Sequence, residues 1–140
     1  MIGVLNKLML LGFGVGLISH VREKVKVYAG KDLTSVGPNL SGSAADAIVD
    51  ECGAVGYCCI EEKVQRDANG NLLLHEQGRY IYWQPTFLRV AKHRLRRFPA
   101  KMPLRYGTGW ADYEKVFQAV AANVEQNIDA ELDVERILNA

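Results

Sequence analysis

Residues 54–84 read AVGYCCIEEKVQRDANGNLLLHEQGRYIYWQ, and this stretch decides the fold. Val55, Tyr57 and Cys59 recur at alternate positions, the period of a half-buried strand. Asp67-Ala68-Asn69-Gly70-Asn71 follows, and Asn-Gly accepts the positive φ of a tight hairpin turn. Leu72 to Glu76 returns, Gln77-Gly78 marks a second turn, and Arg79 to Gln84 makes a third strand. The expected unit is a three-stranded antiparallel meander.

Downstream, Pro85 closes the strand and Thr86 can cap a helix. Phe87, Leu88, Ala91, Leu95 and Phe98 then share one helical face, opposite Arg89, Lys92, His93, Arg96 and Arg97. Pro99 and Pro103 stop that helix. From Trp110, the residues Tyr113, Phe117, Val120, Val124 and Ile128 recur every three or four positions, which predicts another helix. A last stretch carries Leu132, Ile137 and Leu138. Upstream, Ser43 can cap a helix to about Cys52, with Ala45, Ile48, Val49 and Cys52 inward and Asp46 completing a capping box. Residues 29–42, AGKDLTSVGPNLSG, read as a turn-rich loop. Val21, Val25 and Val27 alternate with Arg22, Lys24 and Lys26, a strand pattern. The whole predicts an α+β fold: a small antiparallel meander packed by two or three helices.

The first twenty residues, MIGVLNKLMLLGFGVGLISH, stand apart from this α+β domain of residues 21–140. No charge occurs from Leu8 to Ile18. As one helix, residues 2–19 would be about 27 Å long, close to the ~30 Å of a bilayer core. Two readings compete with a membrane anchor: an apolar arm buried in protein, and a cleaved secretory signal. The signal lacks a small-x-small site after Ile18. In a helix, Leu8, Leu11, Gly12 and Gly16 would face a membrane or a partner helix, Gly12 and Gly16 having the spacing for close approach. Basic residues at 22, 24, 26 and 31 would then lie on the inner side.

The chain has 140 residues and a net charge of +1, with 49% hydrophobic residues. This excludes a disordered tail, a collagen-like fibre, a polytopic membrane protein and a highly basic packer of nucleic acid. The near-neutral total conceals segregation. Residues 1–76 carry a net −2, residues 77–111 a net +8 with no acid, and residues 112–140 a net −5. The middle block is Arg79, Arg89, Lys92, Arg94, Arg96, Arg97, Lys101 and Arg105. It can meet a nucleic acid, with Tyr80, Tyr82 and Trp83 as stacking surfaces, or anionic lipid. It can equally meet the chain's own acidic C-terminal helix or a partner protein.

Catalytic spacing is sparse. Cys52, Cys58 and Cys59 are odd in number and contain no C-x-x-C, so they read as reduced, mostly buried thiols in a reducing compartment. A Cys58 or Cys59 nucleophile with His75 or His93 as base is conceivable across the meander. Cys58, Cys59 and His75 would lack a fourth metal ligand. GFGVG at 12–16 lacks the spacing of a phosphate loop. The expectation is therefore a non-enzymatic accessory or structural subunit of a larger assembly, intracellular or inside-facing on a membrane. It would use other protein subunits as partners and no cofactor, metal or small-molecule substrate. Alternatives are a nucleic-acid-binding module using residues 79–105, a virion or capsid-type structural protein with its arm packed into protein, and a small cysteine-dependent enzyme.

Overall fold

Antiparallel pairing and short helices build an α+β structure, as the sequence predicts. The computed structural model describes residues 2–12, 14–40, 43–125 and 134–140. Its contacts gather the chain into two units: the described parts of 1–52 with 87–90, and of 53–86 with 91–140.

Unit 1 opens with α1, Ile2–Leu10. The chain leaves the helix at Gly12, whose φ is +83°. The single helix expected over residues 2–19 therefore does not form, and Gly12 and Gly16 share no helical face. No helix among the described residues is long and apolar enough to cross a membrane.

β1 (Val21–Tyr28) pairs antiparallel with β2 (Lys31–Pro38). The expected loop over 29–42 is thus half strand. Ala29 and Gly30, at φ 50° and 75°, form the two-residue turn. Two consecutive positive φ values twist as the flanking strands do, which makes so short a connection possible. Beyond β2, Val36 N–H donates to the Leu88 carbonyl at 2.7 Å and Val90 N–H to the Val36 carbonyl at 3.0 Å. Residues 88–90 thereby occupy the outer edge of β2. α2 spans Ser43–Glu51, within a residue of expectation, with Ile48 buried.

Unit 2 holds β3 (Ala54–Val55), β4 (Tyr57–Arg66), β5 (Leu72–Tyr82), β6 (Lys92–His93) and β7 (Lys101–Pro103). β3 pairs with β6, and the three-stranded sheet runs β4-β5-β7. The turn at 67–71 forms as predicted: Asp67 Oδ1 accepts the Asn69 and Asn71 amides, and Gly70 has φ +83°.

Three details differ from the sequence reading. The chain does not turn at Gln77-Gly78; β5 continues to Tyr82, and β7 is the third strand. Gly78 serves instead to leave room for the Tyr80 ring, which a Cβ there would strike. The expected strand from Ala54 is cut at Gly56, where a Cβ would lie 2.6 Å from Ile81 and 2.9 Å from Trp83. Finally, residues 86–98 are not helical. The backbone at Lys92 and His93 pairs with Val55 and Ala54, and the Phe98 amide bonds the Leu95 carbonyl in a turn.

α3 (Gly109–Glu125) and α4 (Val134–Asn139) complete the unit. Val116 and Val120 of α3 are fully buried. They form one core with Trp83, Phe98, Met102 and Leu138. Val124, Ile128 and Leu132 lie outside the residues whose side chains are described.

Candidate functional site

The helix that would align the basic residues of 86–98 into one stripe does not form. Of the eight basic residues of 79–105, Arg89 belongs to the 87–90 segment of unit 1 and the others to unit 2. Arg79 lies on β5 and Lys92 on β6, while Arg94, Arg96 and Arg97 are exposed on the turns that follow. The remaining two meet acids of this same chain.

Lys101 on β7 lies beside Tyr82, and Tyr80 is the next residue on the same sheet face. Its Nζ donates to Glu61 Oε2 at 2.5 Å and stands 3.8 Å from the centre of the Tyr80 ring. Tyr82 donates its hydroxyl to the other oxygen of Glu61. These bonds push the Tyr82 hydroxyl and the Lys101 ammonium above their ordinary values, Glu61 being the main cause for both. A lysine held protonated is no nucleophile at neutral pH. The arrangement clasps β4, β5 and β7 together, and the open groove beside it runs along Glu62, Lys63, Glu76 and Gln77.

Arg105 makes the second clasp. Its Nε and an Nη donate to the two oxygens of Asp112 at 2.8 and 2.6 Å, and Thr108 Oγ1 donates to Oδ2 at 2.9 Å. The same guanidinium reaches the Leu138 carbonyl of α4 at 3.2 Å. Asp112 is buried, and the Arg105 guanidinium holds its carboxyl below the usual carboxylate range. The acidic C-terminal helix thus does meet part of the basic block. The loop before α3, α3 itself and α4 are joined by it.

His93 sits in an aromatic cluster, stacked 3.8 Å from Phe98 and edge-on to Trp83. Its Nδ1 accepts the Leu95 amide at 3.1 Å, so Nε2 carries the proton and donates to Tyr113 Oη, 3.1 Å away. Burial lowers the His93 pKa and raises that of Tyr113. Both ring nitrogens are engaged, and neither faces a thiol. His75 is paired across the sheet with Val64, six residues along β4 from Cys58 and about 20 Å away at strand spacing. It lies 3.7 Å from Glu62 instead. Cys58 and Cys59 point to opposite faces. No disulfide joins the three cysteines; Cys52 and Cys59 are half-buried, and Cys58 is exposed rather than mostly buried as expected. Partial burial, with Cys59 second, raises the Cys58 pKa, away from thiolate chemistry. No group of three metal-ligating side chains exists among the described residues.

The surface that sequence reasoning underrated is in unit 1. Directly paired residues share a face, so the register places Arg22, Lys24, Lys26 and Lys31 on one face of the hairpin. Both hairpin acids, Glu23 and Asp32, lie on the other with Val21, Val25 and Val27. Lys26 Nζ approaches the Phe87 carbonyl at 3.3 Å, and the Tyr28 and Phe87 rings lie 5.2 Å apart. Every residue of β1 is exposed, Val25 at 67% and Val27 at 71%. Of the anticipated contact residues before it, Leu8 is 38% and Leu11 73% exposed, and Gly12 and Gly16 lie in open space. The signal was present in the alternation of 21–28. Its partner strand was hidden in a stretch that looked like a loop.

No family model matches the chain, and no curated protein or solved structure matches it either.

Proposed function

We propose that this chain is a non-enzymatic accessory or structural subunit of a larger assembly, held in place by unit 1 and its apolar N-terminal segment. One observation carries the reading. Unit 1 leaves many large apolar side chains exposed, Val4, Leu10, Leu11, Ile18, Val25 and Val27 among them, and of its described residues only Ser35 and Ile48 are buried. Two strands alone are marginally stable in water, and contiguous exposed apolar surface marks an interaction site. The missing apolar contacts come from other protein subunits. The ionic clusters of unit 2 agree with this, since their charged groups bind one another and brace the fold. A reducing compartment belongs to the same proposal, because the three cysteines are odd in number and hold no C-x-x-C pair.

The native mass of the full chain tests this. Gel filtration of a gently lysed natural source, with light-scattering detection and no detergent, should place the chain in a particle several times its own 15.6 kDa. Elution at 15.6 kDa alone would refute the proposal.

A further inference from the structure

We propose that the outer edge of β1 is a strand-addition site for an extended segment of a partner subunit in which acidic and apolar residues alternate. The inference rests on the assembly reading and names the chemistry of the partner.

Three features of the hairpin support it. First, β1 is the open edge of its sheet among the described residues, since β2 bonds β1 on one side and residues 88–90 on the other. An open edge presents a row of backbone donors and acceptors that another strand can take up. Second, the charge is sorted by face. Four cations lie on one face with no acid among them, and Arg22, Lys24 and Lys31 are exposed. An added strand shares the pleat, so its alternate side chains fall beside that cationic row. Acids at those positions are attracted. Third, the opposite face carries Val21, Val25 and Val27, all exposed, beside which the intervening apolar residues of the added strand would pack.

The same pattern rejects other edges. A second β1 would set lysine against lysine, and like charges directly opposite are destabilising. β4 carries Glu61 and Glu62 beside Lys63 and Arg66, so it selects no sign of charge. A polyanion such as a nucleic acid would use the cations but leave the valines and the backbone edge unsatisfied.

The test uses the full chain and a labelled peptide of the required chemistry, NIDAELDVE, which reproduces residues 127–135. Fluorescence anisotropy should show saturable binding that weakens about tenfold when low salt is raised to about 0.5 M. Arg22→Glu with Lys24→Glu, both on an exposed strand, should weaken it about tenfold or more. A scrambled peptide of the same composition, and one N-methylated at alternate amides, should bind at least about tenfold more weakly. Equal binding of the scrambled peptide, or its displacement by an oligothymidylate, would make the face a general polyanion surface and overturn the proposal. So would an absence of binding, or concentration-dependent dimerisation of the chain through β1. A high native mass with no peptide binding would leave the assembly reading standing and remove only this site.

Discussion

Phe98→Ala should cost unit 2 about 4 kcal/mol of stability, the range found for deleting a buried aromatic ring. Phe98 is 2% exposed and lies at the centre of the aromatic cluster. It stacks on His93, meets Trp83 edge-on at 5.7 Å and lies 5.4 Å from Tyr113. Three elements converge on it: the end of β5, the turn after β6, and α3. Alanine leaves a cavity that rigid rings cannot collapse into. A small domain has about 5–15 kcal/mol in total, so most of the margin is removed. Urea unfolding followed by tryptophan fluorescence checks this, because Trp83 adjoins the lost ring. A loss below about 1 kcal/mol would show that the cluster is not the core of this unit.

Asp112→Ala should cost about 2 kcal/mol, because it removes the acceptor of three side-chain bonds from a buried position. The partner guanidinium is partly exposed, which keeps the figure below that of a fully buried pair. The same carboxylate sets an acid limit. Its pKa is lower in the folded chain than in the unfolded one, so the unfolded chain binds the proton first. The stabilisation is complete above the unfolded value of about 3.9 and is lost as pH falls through the folded value. Urea midpoints measured from neutral pH downward should fall in that window for the natural chain. For Asp112→Asn the midpoint should start lower and lose less there. An identical acid limb in the variant would place the acid sensitivity elsewhere.

Local chemistry was readable where it governs structure alone. Asp67, Asn69 and Gly70 specify their turn by side-chain acceptance and positive φ, and the turn forms as read. α2 and α3 follow from apolar period, and Val120 and Leu138 are buried as their positions imply. The failures have a common physical cause, in that long-range pairing overrode a local pattern. Phe87, Ala91, Leu95 and Phe98 have helical spacing, yet pairing of Lys92 and His93 with β3 and the Leu95 amide bond to His93 take the backbone elsewhere. Gly78 looked like a turn residue, but its missing side chain makes space for Tyr80 within a continuous strand. β2 was obscured because its turn is Ala-Gly rather than Asn-Gly, and Ala29 is an unusual residue at positive φ. The Arg105–Asp112 clasp joins residues seven apart across a turn, a distance that charge counting along the chain cannot pair.

That failure at β2 bears on function. Once Lys31–Pro38 is a strand, the basic residues after the apolar segment become one face of a hairpin with an open edge. The basic block of 79–105, by contrast, gives up Lys101 and Arg105 to the fold. The most informative surface of the chain therefore moves from its middle to its N-terminal third.

Hydrogen exchange of the chain alone and within its native particle tests the central claim most directly. Amides of residues 21–38 are expected to exchange rapidly in the isolated chain and to slow by at least about tenfold in the particle, while those of β4 and β5 change little. Unchanged exchange over 21–38, with protection gained elsewhere, would contradict it.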